Sequence, residues 1–398
     1  MSHLQVPGAA VRIALPSSTA ASPQAIMVSG PTSLAACQSP SLRYARPGAG
    51  CAPHQPSPAT QCGFSLIELV IAATLLGLMI MAVSTLSVSG AQAQEYARRL
   101  TRATEIAQDL VDDMRTELVS CVRIFGDDVE GNTALATFDL DGAPPRIAGS
   151  RLPVIDAMGT IRRDTAADRL TGNSLFLTRL VWTDRFVGSS GREYMVDVYR
   201  WIYYYQTAEE NGPQPGSSIG LNLVRVSSEP LVDAAAIDAI TNVGDRAALL
   251  RHLYDGTPDA SGISHPPCQV VWRRGELASA SGSLREINPA DWSLSLTPLA
   301  ASGRPSPWQV LRREGVPRGL LSYRHHSVAT NFAPRASGVA RFGLVDTTGD
   351  GFPHGFEVQV TGPSAARQVL LHLAVASTNR SGHTAFAGVQ MVVDARDL

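Results

Sequence analysis

The rhythm of apolar positions changes three times along the chain. Residues 1–63 mix Ser, Pro, Ala and Gly with no sustained period, a pattern that cannot bury a core. From Phe64 to Val88 nearly every position is apolar, FSLIELVIAATLLGLMIMAVSTLSV, and the 25 residues carry one formal charge, Glu68. From Ala91 to Val122 there is neither proline nor glycine, and Tyr96, Leu100, Ala103, Ala107, Leu110, Met114 and Leu118 recur at threes and fours. Beyond about residue 124 the apolar residues gather into short runs between turn clusters.

Each rhythm predicts an element. A run apolar on every face and longer than about 20 residues is long enough to span a bilayer as a helix. The run is also too long for the apolar region of a secretory signal, which has roughly 7–15 residues. The three-four spacing that follows predicts an amphipathic helix whose one apolar stripe needs a sheet to lie on. Together, positions 64 to 122 predict a helix of about 59 residues, roughly 88 Å long at 1.5 Å per residue. The later runs predict strands: Leu175–Trp182, Tyr194–Tyr205, Leu221–Val226, Gln269–Trp272, Leu320–Tyr323, Arg341–Val345, Phe356–Val360, Val369–Ala376 and Ala387–Val393. Val232–Ile240 and Arg246–Tyr254 read as short helices between them. The expected class is α+β: a long N-terminal helix, half membrane-spanning and half amphipathic, packed on a mainly antiparallel β head.

Charge narrows the function classes. The chain has 33 basic and 35 acidic residues, a net charge of -2, and all the basic residues are arginine. No basic excess exists to neutralise phosphates, so nucleic acid is not an expected partner. Upstream of the apolar run stand Arg12, Arg43 and Arg46 and no acid. That bias keeps the upstream segment cytoplasmic and sends the head across the membrane.

Glu68 is the conspicuous residue, because a carboxylate inside an apolar helix costs roughly 2.5–3.5 kcal/mol on insertion scales and so calls for a partner. Gly63-Phe64-Ser65-Leu66-Ile67-Glu68-Leu69 resembles the type IV prepilin cleavage and methylation motif. The resemblance implies that prepilin peptidase removes residues 1–63 by cutting after Gly63, and that Phe64 becomes the N-methylated first residue. It implies that 64–123 form the long helix, transmembrane in 64–88, and that 124–398 form the head. Glu68 would then be the carboxylate that aligns subunits, pairing in low dielectric with the new amine of a neighbour. Tyr203-Tyr204-Tyr205, Leu223-Val224-Arg225 and Pro230-Leu231-Val232 also loosely resemble the heads of W-type minor pilins and of J-type minor pseudopilins of type II secretion, which pair an aromatic strand with a Leu-x-Arg strand.

Gly216-Ser217-Ser218-Ile219-Gly220 fits the G-x-S-x-G spacing but leads from a loop into a strand, whereas the nucleophile elbow needs a strand and then a helix. His325 and His326, adjacent in a strand, point to opposite faces and do not share one metal. Tyr199, Trp201, Tyr203 and Tyr205 alternate, as packing side chains do and as a partner surface would. Removal of the leader takes Cys37, Cys51 and Cys62 with it and leaves Cys121 and Cys268, either one disulfide in an oxidising compartment or two buried thiols. Asp346-Thr347-Thr348-Gly349-Asp350-Gly351 opens a 12-residue stretch ending at Glu357. Asp346, Thr348, Asp350, the Phe352 carbonyl and Glu357 stand at calcium-loop spacing. The flanks read as strands, so the competing reading is a hairpin turn with solvated acids.

The expected function is structural, without enzymatic activity: a minor pilin or minor pseudopilin of a type IV pilus or a type II secretion machine. Calcium is its one candidate cofactor. Its partners are prepilin peptidase, other pilin or pseudopilin subunits and the bacterial inner membrane, with the head in the periplasm or, after assembly, in an extracellular pilus. The alternative is a pilin-anchored adhesin or ligand-binding module.

Overall fold

The computed structural model describes residues 65–137, 145–147, 149–162, 170–207, 220–273, 284–298, 308–310, 326–329, 355–378 and 384–397. Two compact units divide the chain, Met1–Val70 and Ile71–Leu398. Helix α1 spans Leu66–Val119. No residue of its most apolar window is buried, and Leu75, Leu76, Ile80 and Leu86 are all well exposed. Further along, Ala103, Ile106, Ala107, Leu110, Val111, Met114 and Leu118 are buried. They form one stripe at helical spacing, as expected for a helix laid on a sheet.

The helix ends three residues before the Val122 that its spacing predicts. Ser120 turns the chain and β1 (Cys121–Phe125) begins at once. The Ser120 carbonyl accepts from Leu180 N–H at 2.9 Å, and Cys121 to Phe125 pair with Arg179 to Phe176. Strand pairing, available only in the tertiary fold, overrides the local helical pattern. Then come α2 (Val129–Thr137), β2 (Ile155–Asp156), β3 (Leu175–Val187), β4 (Glu193–Thr207), β5 (Gly220–Ser227) and β6 (Leu231–Asp233). They are followed by α3 (Ala234–Asp238), α4 (Val243–Asp255), β7 (Val270–Trp272), β8 (Leu284–Asn288) and β9 (Ser293–Pro298). The chain closes with β10 (Trp308–Val310), β11 (His326–Ala329), β12 (Phe356–Thr361), β13 (Arg367–Thr378) and β14 (Thr384–Ala395). The helix expected over Val232–Ile240 thus opens as strand, and Asp233 caps α3 by accepting from Ala235 N–H at 3.0 Å. The strands expected at Leu320–Tyr323 and Arg341–Val345 lie outside the described residues.

The strands form one 14-stranded sheet in the order β2-β12-β13-β11-β5-β4-β6-β7-β8-β9, with β1 and β3 joining at β4, β10 at β5 and β14 at β13. Only β2–β12 and β6–β7 run parallel; the other described pairings are antiparallel. Alternation assigns the faces. Leu175, Leu177, Ile202, Tyr204 and Leu223 share a core with the buried stripe of α1. Phe176, Trp201, Tyr203, Tyr205 and Val224 face the other way, into an aromatic core with Phe125 and Trp272. Packing is therefore the role of Trp201, Tyr203 and Tyr205, whereas Tyr199, at the same spacing, stays partly exposed. A third core joins Val196, Val198 and Val232 to Ile237, Leu249 and Leu253 of α3 and α4.

Helix α4 is closed at both ends, by Asn242 accepting from Gly244 and Asp245 N–H and by Gly256 in the left-handed region (φ 62°) donating to the His252 carbonyl. Its first turn also holds the tip of the β3–β4 hairpin. Buried Asp245 accepts from Ser189 Oγ at 2.8 Å, Ser190 N–H at 3.0 Å, Ser190 Oγ and Tyr194 OH at 2.9 Å. The Ser190 hydroxyl and amide, followed by the other donors, hold this carboxyl well below its ordinary range.

Candidate functional site

Two carboxylates on α1 define the functional question. At the start of the helix, Ser65 precedes the first helical residue and Glu68 sits three positions later. Ser65 N–H donates to Glu68 Oε2 at 3.0 Å, and the Ser65 carbonyl accepts the first helical bond from Leu69 N–H. This is half of a capping box, in which a glutamate reaches back to an amide with no partner inside the helix. The negative charge also lies at the positive end of the helix dipole. The signature Ser65-x-x-Glu68 was present in the sequence beside the more prominent motif. Gly63 and Phe64, the expected processing residues, lie outside the described residues.

At the other end of α1, Glu117 is buried. Its Oε1 accepts from Arg225 Nε at 2.9 Å and Nη2 at 2.6 Å, with Arg179 Nη1 at 3.5 Å, and its Oε2 accepts from the Tyr204 hydroxyl. Register explains the convergence: Tyr204 of β4 stands directly opposite Arg225 of β5, and both point to the helix face. Burial raises the Tyr204 hydroxyl well above its ordinary range and the Glu117 charge raises it further, so the phenol stays a proton donor. Burial opposes the Arg225 charge, but Glu117 beside it more than compensates and raises its pKa. Chemically this is a latch: the aromatic strand and the Leu-x-Arg strand together grip the last turn of the long helix. Glu117 was missed because it sits among Asp112, Asp113 and Arg115 in what reads as a solvated face.

The remaining candidates separate. Cys121 and Cys268 are free, buried thiols, the second of the two alternatives open to them, and not a disulfide. Cys121 belongs to the core under α1 and Cys268 to the core under α3 and α4. Burial pushes each thiol up to about 12. Of the five calcium-loop residues, Asp346, Thr348, Asp350 and Phe352 lie outside the described residues. Glu357 is fully buried in β12, opposite His372 of β13, and its Oε2 is 3.0 Å from His372 Nδ1. A calcium loop ending there would have to take this carboxylate from the histidine. His326 starts β11 opposite Ser377, whereas His325 and Ser218 lie outside the described residues.

Residues 58–84 match the prokaryotic N-terminal methylation motif as a family. No curated protein and no solved structure matches the chain. The matched motif is a substrate signal for prepilin peptidase and implies pilin-like assembly partners. It runs into the single described helix that is long and apolar enough to cross a membrane, which fits a single-pass, membrane-anchored chain. The methylation motif, the apolar helix that follows it and the antiparallel β-rich head are together typical of type IV pilins and pseudopilins, which this chain resembles.

Proposed function

We propose that the chain is a minor pilin or minor pseudopilin, an assembly subunit of a type IV pilus or a type II secretion pseudopilus, carried with its head on the periplasmic side of the bacterial inner membrane. The observation that carries this reading is the methylation motif at 58–84 on a helix with its first half exposed and apolar and its second half in the core of a β-rich unit. A helix of this kind can leave lipid for a filament core without disturbing the head, because the head's own packing uses only the later residues. Prepilin peptidase cuts between Gly63 and Phe64 and the new amine is methylated. Glu68, freed to face a neighbouring subunit, aligns the helices. Burial of Trp201, Tyr203 and Tyr205 weighs against their use as an adhesin surface.

Intact mass spectrometry of the protein from membranes tests this directly. The expected mass is that of residues 64–398 plus one methyl group. The chain has no lysine, so the cut but unmethylated form has one primary amine, at Phe64, and the methylated form has none. A mature chain beginning at any other residue overturns the reading.

A further inference from the structure

Beside the latch lies an arginine that the latch does not satisfy. Arg200 of β4 stands directly opposite Arg179 of β3, and like charges facing each other across a strand pair are destabilising. Arg225 bears on it as well: burial, followed by the charges of Arg225 and Arg179, lowers the Arg200 pKa, with Glu229 and then Cys268 acting in the other direction. Glu117 serves Arg225 and Arg179 and has no hydrogen bond to Arg200. Among the described residues the Arg200 guanidinium has no hydrogen-bond or ion-pair partner, and its Nε is buried and unsatisfied, as is Arg179 Nε. Arg99 and Arg273 also leave a buried Nε open, but three other partly buried arginines have their guanidinium partnered. Arg123 meets Asp397 at 3.2 Å and Glu130 at 2.7 Å, Arg367 meets Asp397 at 3.1 Å, and Arg151 donates to the Thr171 carbonyl at 2.9 Å.

The position of Arg200 accounts for this. Along one face of β4, Ile202 and Tyr204 lie in the core under α1, and Val196 and Val198 lie in the core under α3 and α4. Arg200 falls between the two cores on the same face. A half-buried guanidinium with a buried donor left open is an unmade interaction of the kind that an ion or partner completes.

We propose that Arg179, Arg200 and Arg225 form an oxyanion site between the end of α1 and the α3–α4 layer, with Arg200 as its unoccupied donor, which takes a group of carboxylate or phosphate chemistry. Planar arginine forks match the paired oxygens of either group. The oxyanion comes from solution or from an acidic side chain of another filament subunit; the second source rests on the assembly role proposed above, the first does not.

Thermal unfolding of the full-length protein in detergent tests the site, with inorganic phosphate as the probe against chloride at matched ionic strength. Wild-type protein should gain about 1–4 °C at phosphate between roughly one and ten times its dissociation constant. Arg200→Gln should lose that gain. In chloride its melting temperature should stay level or rise, because an opposed charge has been removed. For a subunit carboxylate, a photo-crosslinking residue at exposed Val119, two positions from Glu117, should capture a second pilin-like subunit in cells, and Arg200→Glu should abolish the capture at unchanged protein level. A phosphate response in wild type alone supports the free-anion source. Arg200-dependent capture without a phosphate response supports the subunit source. An equal phosphate response in wild type and Arg200→Gln overturns the proposal, as does a fall in the basal melting temperature of Arg200→Gln, or the absence of both phosphate response and capture. The mass measurement on Phe64 is independent of all these outcomes, so failure of the site and failure of the assembly role are distinguishable.

Discussion

Glu68 and Glu117 are carried by the same helix, and their surroundings are opposite. Glu68 is exposed among the described residues, in an apolar run, and its carboxylate turns back to its own backbone at Ser65. Glu117 sits in a stretch rich in charge, yet it is buried and gripped by two arginines and a tyrosine from three strands. The acid that looks out of place in the sequence is thus exposed, and the acid that looks at home is in the core. The contrast teaches that charge within a helix is judged by what covers it. For Glu68 the cover proposed above is lipid or another subunit; for Glu117 it is the sheet.

The sharpest way to break this comparison is to delete each carboxylate. Glu117→Ala strands Arg225 and Arg179 on a covered face, and removing one partner of such a pair costs about 3–5 kcal/mol. Denaturant unfolding of the full-length chain should show the loss, and adding Arg225→Leu to Glu117→Leu should restore most of it. Glu68→Ala should leave that unfolding unchanged while its incorporation into sheared filaments falls. Equal stability in both variants would mean that the latch contributes nothing; wild-type filament incorporation of Glu68→Ala would mean that Glu68 aligns nothing.

Apolar residues on the two parts of α1 should differ in the same way. Met114 is fully buried against the sheet, so Met114→Ala should cost about 2–5 kcal/mol through lost burial and a cavity. Leu75 is 61% exposed, and Leu75→Ala should leave the unfolding midpoint within error. A measurable shift for Leu75→Ala would show that the apolar segment contributes to the core after all.

How much of this was legible in the sequence follows from the range of the interactions. The helix, its stripe and most strands were readable because period and run length are local: Leu100 to Leu118 appear where the spacing places them, although Tyr96 stays half exposed. The motif at Gly63 to Leu69 was readable because its chemistry lies in consecutive residues. The Glu117 latch was not, since Tyr204 and Arg225 meet it only through strand register; the aromatic and Leu-x-Arg strands were noticed without the acid they serve. Helix α2 and strands β8 and β9 escaped notice because each is short and weakly patterned, so no local rhythm announces them.

Asp245 sharpens the comparison from another direction, because this buried acid is held by hydroxyls and an amide rather than by cations. A carboxyl held below its ordinary value of about 3.9 adds stability at pH above that value and loses it as the pH falls toward the folded pKa. Wild-type melting temperature should therefore drop progressively below about pH 4, and part of that drop should vanish in Asp245→Asn. Identical acid profiles would show that the hairpin tip does not depend on the ionised form.

The smallest expected effect, read by chemistry, tests whether the Glu117 region opens separately. Cys121 lies in β1, four residues beyond Glu117, and Cys268 precedes β7. Both thiols are free, and they belong to different cores, Cys121 to the one under α1 and Cys268 to the one under α3 and α4. The two thiols are thus independent reporters. With each pushed up to about 12 by burial, the thiolate fraction at pH 8 is on the order of 10⁻⁴, and reagents that attack thiolates should react slowly with folded wild type and fully with both cysteines after denaturation. In Glu117→Ala the last turn of α1 loses its hold beside β1, so Cys121 should label faster while Cys268 keeps its wild-type rate. Equal acceleration of both would mean that the protein opens as one body and that the latch has no local effect. Peptide mapping after a timed pulse of reagent separates the two outcomes, because Cys121 and Cys268 fall in different Arg-bounded peptides.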